Sequence, residues 1–174
     1  MALYEFEGKR PRVAPGAFVS ETAAVIGDVE IGERCYIAAN CVIRGDWGRV
    51  RIGDQTNVQD CCVIHARPDE QTTIGARVSV GHASVLHNCT IRDHATVGMN
   101  AVVSDWAVVG EHSVVAEGCV VRQHQQIPPM SVAVGVPAKV VGALSEEQVR
   151  EHAGYKQLYA ELASRCHLAL KRIK

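Results

Sequence analysis

Along most of the chain an aliphatic residue returns at every sixth position. The series Val13, Val19, Val25, Ile31, Ile37 and Ile43 resumes at Ile52, Val58 and Ile64, then at Ile74, Val80 and Leu86. It closes with Ile91, Val97, Val103, Val109, Val115, Val121 and Ile127. Four places after most of these stands a small side chain, as at Ala23, Cys35, Cys62, Ser84, Ala95 and Cys119. A period of six is neither the helical 3.6 nor the alternation of a half-buried strand. It suits a short strand plus a turn, three such units closing a triangular coil of about 18 residues with the aliphatic side chain inside and the small one at a corner. Coils stack at the strand spacing of ~4.8 Å. No coil is stable without neighbours, and the series is long enough for roughly six to seven of them.

The register breaks in three places. Ile43 to Ile52 spans nine residues, so Asp46-Trp47-Gly48-Arg49 is predicted to bulge. Ile64 to Ile74 spans ten, leaving Ala66 to Thr72 as a loop, and Leu86 to Ile91 spans only five. Breaks gathered near one band of a regular solenoid mark where function is expected. After Val141 the rhythm stops. Ser145-Glu-Glu-Gln148 reads as a capping box, and Val149, Leu158, Leu162, Cys166, Ala169 and Ile173 follow near helical spacing, with Gly154 predicted to kink or split the helix. The expected architecture is mainly β: a parallel β-helix over 1–142 and a C-terminal α-helical segment over 143–174, packed on its own solenoid or a neighbour's. Resemblance to hexapeptide-repeat proteins implies the left-handed form.

Composition narrows the classes. The chain has 174 residues, a formal charge of −1 and no basic stretch, which argues against a nucleic-acid or membrane partner. No signal-like N-terminus or membrane-length apolar run is present. Seven cysteines without a CxxC pair suggest a reduced, cytoplasmic protein whose thiols are small core residues, the adjacent Cys61 and Cys62 being the one hint of another use.

Hexad register places the histidines. His65 follows Ile64 and His87 follows Leu86, three hexads apart, so both stand in one column on one face with Arg44 one coil earlier. Outward imidazoles about 4.8 Å apart along the axis can both reach one ion. His82 belongs to the preceding face, above Asp60 and beside the coil position of Gln59. A corner separates it from the pair, so it could complete a three-histidine site only from an adjacent molecule around a threefold axis. Arg44, Asp46 and Asp60 could equally form an ion-pair network at that interface. His94, His112, His124, His152 and His167 read as solvated, and Trp47, Trp106 and Tyr159 as packing or surface groups.

The stretches RGDWGRVRIGDQTNVQDCCVIH and TIGARVSVGHASVLHNCTIRDHATVGMNAVV resemble the γ-class carbonic anhydrase family, closest to its PaaY- and CaiE-type subgroup, over nearly the whole chain. The resemblance implies a homotrimer with His65, His82 and His87 as ligands of a divalent metal, zinc first with iron(II) or cobalt as alternatives. The middle ligand would come from the neighbouring subunit. It also implies that Arg44 and Asp46 are the family's RGD pair with Arg44 bridging to Asp60, and that Gln59 orients the nucleophile or a small-molecule substrate. The implied reaction is attack of hydroxide on carbon dioxide to give bicarbonate. Two features depart from the family. The stretch ARPDEQTT is too short for the acidic proton-shuttle loop and offers only Asp69 and Glu70, and Asn88 stands where glycine is frequent. Competing readings are acyl-CoA thioester hydrolysis, hexapeptide acyl transfer (Gly135-Val-Pro-Ala-Lys139 is common there but also reads as the solenoid's exit turn), and a metal that only stabilises a trimer.

Overall fold

The computed structural model describes residues 2–173. Among them, short strands occupy the chain up to Ala143 and a helix, Glu146–Ala169, ends it. The strands wind into a parallel β-solenoid, the architecture of a hexapeptide-repeat left-handed β-helix. One face stacks Val13, Ile31, Ile52, Ile74, Ile91, Val109 and Ile127 in register. The second stacks Val19, Ile37, Val58, Val80, Val97, Val115 and Ala133. The third stacks Val25, Ile43, Ile64, Leu86, Val103 and Val121. Nearly all of these side chains form one continuous buried core, with Cys35, Cys41, Cys62, Cys89 and Cys119 between them. Among the described residues no cysteines are bonded to each other. Burial pushes the Cys35 and Cys89 thiols up to about 12, so they stay uncharged core groups.

The predicted bulge at Asp46–Arg49 is present, carried inside a continuous strand: Gly27 pairs with Gly45 and Val29 with Val50, so these four residues stand opposite Asp28 alone. Val42–Ile52 is one strand of 11 residues, running from the third face past the corner to the first and pairing with Ala24–Ile31 of the coil before. On the side of the following coil Arg49 pairs with Gln71 and its amide bonds the Glu70 carbonyl, so the bulged segment rejoins a ladder at its end. Close approach fixes the glycine: a Cβ on Gly45 would stand 2.2 Å from the Asp28 carbonyl oxygen.

The helix opens with the predicted capping box, Ser145 and Gln148 each bonding the other's backbone. It then runs unbroken through Gly154, which lies in open space; an exposed glycine costs a helix about 1 kcal/mol without ending it. Its buried face is Lys156, Ala160 and Ala163, not the predicted apolar stripe: Leu158 and Ile173 are exposed. Small residues let the helix lie close on the second face, against the strands Phe18–Val19, Tyr36–Ile37 and Asn57–Val58. Tyr159 rests against Tyr36, ring centroids 5.7 Å apart.

Candidate metal centre

The solenoid presents two groups of polar side chains, separated by one corner. The first is the column on the third face. Strand pairing sets Arg44, His65 and His87 in register on successive coils. His65 Nδ1 and His87 Nε2 face each other at 3.3 Å. The outer nitrogen of each ring is held by a carboxylate: His65 Nε2 lies 2.9 Å from Asp46 Oδ1, and His87 Nδ1 bonds Asp105. Arg44 pairs with Asp46 at 2.7 Å. Burial works against the Asp46 charge, but the His65 hydrogen bond and the Arg44 guanidinium outweigh it and hold the carboxyl below its ordinary range. His65 is held below the usual imidazole value, by burial first and with Arg44 adding to it, against the pull of Asp46.

The second group stands at the end of the second face. His82 Nδ1 lies 2.9 Å from Asp60 Oδ2, one coil below it, and both side chains are half-exposed. Gln59 donates from Nε2 to Asn57 Oδ1 at 3.1 Å, while buried Asn57 is itself fixed by donating to Ser79 Oγ at 2.8 Å. That bond leaves the Gln59 carbonyl oxygen free to act as an acceptor. Among the described residues of one chain, no three His, Cys, Asp or Glu side chains converge closely enough to hold a metal. One chain therefore brings His65 and His87 together and leaves His82, Gln59 and Asp60 on the other side of a corner.

The donor chemistry of the histidine pair fits a divalent cation. An ionised carboxylate only accepts hydrogen bonds, so Asp46 and Asp105 each take the N–H of their imidazole and leave a lone pair on the inner nitrogen. Two lone pairs 3.3 Å apart repel unless a cation stands between them. Bonds of 2.0–2.1 Å at a tetrahedral angle span about 3.4 Å between donors, close to the separation observed. His82 shows the same arrangement, one nitrogen on Asp60 and the other free.

Several residues that carry this arrangement lack a distinctive local motif. Asp105 lies one coil beyond Asn88 at a corner, and only the coil arithmetic sets it beside His87. Asn88 has a left-handed backbone (φ 48°), which accounts for glycine as the alternative there. Its side chain also donates to Glu70 and accepts from the Arg67 backbone. Glu70 accepts in addition from Trp106 Nε1 at 2.7 Å. Trp106 is thus more than a packing group, and Arg67 lies over its ring at 5.0 Å while reaching Asp105 at 3.1 Å. Two donors pin Glu70, so it is not a mobile proton carrier. The histidines read as solvated are mostly engaged: His94 stacks on His112 at 4.5 Å, His124 on Trp106 at 4.7 Å, and His167 donates to the Ala17 carbonyl. His152 is partly buried beside Thr96.

The fold and this histidine arrangement define a class, and comparison with known proteins agrees. The family model described as bacterial transferase hexapeptide (six repeats) matches residues 10–45 and 88–123. A protein of Methanocaldococcus jannaschii named "Probable carbonic anhydrase" is 49% identical over 82% of this chain and 86% of its own. A carbonic anhydrase of Geobacillus kaustophilus is 38% identical over 91% of this chain and 87% of its own. The carnitine operon protein CaiE of Escherichia coli is also 38% identical, over 98% and 87%. Among solved structures, a hexapeptide transferase family protein from Anaplasma phagocytophilum superposes with a TM-score of 0.91 at 34% identity, covering 96% of this chain and 98% of that one. The chain is a hexapeptide-repeat protein. Within that class it belongs to the γ-class carbonic anhydrase family.

Proposed function

We propose that this protein is a metal-dependent carbonic anhydrase that hydrates carbon dioxide at sites completed between the subunits of a homotrimer. The observation that carries the reading is the pair of inner imidazole nitrogens, His65 Nδ1 and His87 Nε2, facing each other at 3.3 Å with their outer nitrogens taken by Asp46 and Asp105. His82 of a neighbouring subunit, oriented by Asp60, supplies the third nitrogen. Zinc suits such a set, and so do iron(II) and cobalt, since imidazole binds all three. A divalent cation held there supplies hydroxide from water near neutral pH. The chain's own residues do the rest. Gln59, fixed by Asn57, offers its carbonyl oxygen to the proton of the nucleophile and so aims its lone pair at carbon. Arg44 and Asp46 hold His65 in its neutral, metal-ready tautomer and keep the local charge balanced. Glu70 is held by Asn88 and Trp106, so the released proton leaves through exposed Asp69, buffer or water.

The test is carbon dioxide hydration by purified protein loaded anaerobically with iron(II), and separately with zinc or cobalt. Metal-dependent turnover that rises with the concentration of a small imidazole buffer is the expected result. A protein that holds the metal and shows no hydration above the free-metal background sinks the reading. A second reading has one specific observation behind it. An open groove of about 490 Å³ borders His87 and Asp105 and is lined by Ser104, Arg122 and Gln123, far more room than carbon dioxide needs. Hydrolysis of an anionic acyl-CoA thioester at the same histidines fits it, and an acyl-CoA panel with thiol detection distinguishes the two.

A further inference from the structure

A second set of titratable side chains lies where the C-terminal helix crosses the solenoid, on the corner column Gln55, Arg77, His94 and His112. These residues stack because each corner amide bonds a carbonyl of the coil below, as His94 does to Ala76 and His112 to Asp93. Lys156 reaches onto this column from the helix. It is 5% exposed, and its ammonium donates to the His94 carbonyl. No carboxylate pairs with it among the described residues. The ionisable groups around it are chiefly cations or imidazoles: Arg77, His94 and His152, with Glu151 and Asp93 the nearest acids in sequence to the two histidines. A cavity of about 100 Å³ opens beside the amine, lined by Gln55, Arg77, His94 and Gln157.

That environment suits a cation poorly. Burying an ammonium without a counter-charge costs several kcal/mol, and the side chains that line the cavity with it include the cation Arg77 and the amides Gln55 and Gln157, the last also donating to Glu161 on the exposed side of the helix. Burial holds the Lys156 amine down to about 8, so about a tenth of it is uncharged and nucleophilic at pH 7 and about half at pH 8. The cavity admits a molecule of a few atoms. We propose that Lys156 is a carbon dioxide-binding residue whose amine forms a carbamate inside this cavity. The uncharged Nζ attacks the carbon of carbon dioxide and an N–C bond forms. One C=O π pair moves onto oxygen, and the lost N–H proton passes to water, directly or through the neighbouring imidazoles. A buried ammonium without a counter-charge becomes an anion in a cavity that Arg77 also lines, and the helix is tied to the corner column by charge as well as packing. The adduct would report the concentration of the proposed substrate at a place separate from the metal centre.

The experiment uses the full chain in ¹³C-labelled bicarbonate and carbon dioxide at pH 8, followed by ¹³C NMR. Trapping with a trialkyloxonium salt and peptide mass mapping then locate the adduct. The expected result is a carbamate resonance that saturates with carbon dioxide, maps to Lys156 and is absent from Lys156→Met. Should that variant not fold, Arg77→Gln keeps the amine and loses the counter-charge, and its occupancy at limiting carbon dioxide is expected to fall roughly tenfold, the worth of a hydrogen bond to a charged group. The proposal is overturned if folded wild-type protein gives no adduct at Lys156, if the resonance survives Lys156→Met, if Arg77→Gln leaves occupancy unchanged, or if bicarbonate is held without an N–C bond. His82→Ala should leave the carbamate intact, so failure at the metal centre and failure here are read separately.

Discussion

An imidazole has two nitrogens, and a carboxylate that accepts a hydrogen from one decides what the other can offer. In this chain Asp46, Asp60 and Asp105 each stand beside one of three histidines, so ring orientation is set before any ligand arrives. Asp105 does this while anchored to Arg67, and loss of its carboxylate frees the His87 ring to rotate. Asp105→Ala is expected to weaken divalent-cation binding by 10- to 100-fold in a chelator competition, with little change in the melting temperature of the metal-free protein. Asp105→Asn, which keeps an acceptor oxygen, should recover part of the affinity. Equal affinity in all three proteins would mean that Asp105 does not orient His87. At this scale the sequence is legible wherever a residue's place follows from its hexad position, as for Arg44, His65 and His87. It is opaque for Asp105, Asn88 and Trp106, whose partners are contributed by other coils at corners that the breaks in register shift by a residue or more.

Elements were legible in proportion to how local their causes are. The capping box acts within four residues and marks the helix start correctly, and the hexads specify the two- and three-residue strands of the regular coils from a six-residue window. That Val42–Ile52 stays one strand through its bulge, and which face the helix buries, depend on what lies opposite, Ala24–Ile31 in one case and the second solenoid face in the other. A periodicity count sees neither. The helix also buries Lys156, which gives its docking a pH dependence. The folded amine titrates at about 8 against 10.5 unfolded, so the unfolded chain binds more protons between those values and folding is favoured as pH rises. The penalty is fully present below about pH 8 and is relieved toward 10.5, a difference of at most about 3 kcal/mol. The buried thiols Cys35 and Cys89 work the opposite way in the same window, since they stay protonated only when folded. The comparison that isolates the helix is therefore wild type minus Lys156→Met, in urea melts under carbon dioxide-free buffer. The difference should grow in favour of wild type from pH 8 to 10.5, and a flat difference would mean that the amine is solvated in the folded protein.

The whole molecule is where a periodic fold is easiest to read and a site of the kind proposed, shared between chains, would be hardest, because a sequence describes one chain. Regular repetition of one unit fixes the solenoid. The same repetition places His82 around a corner from His65 and His87, and no rearrangement of a stiff stack of coils closes that gap within a chain. The side chains left open on a single subunit, Val63 and Met99 on the solenoid and Tyr155, Leu158 and Leu168 on the helix, are apolar surfaces that neighbouring subunits would cover. A mixing experiment decides whether the site is shared. His65→Ala and His82→Ala subunits should each assemble into inactive trimers. Combined in equal amounts, through co-expression or refolding, they form heterotrimers in which some interfaces join the intact His65 and His87 of one chain to the intact His82 of the next. In a cyclic trimer with random assortment about a quarter of all interfaces meet that condition. Metal binding and hydration in the mixture should then recover to about a quarter of the wild-type level, although neither parent shows any. No recovery from well-mixed trimers would place all three ligands within one subunit, and activity in the His82→Ala parent alone would remove His82 from the site; either contradicts the split geometry.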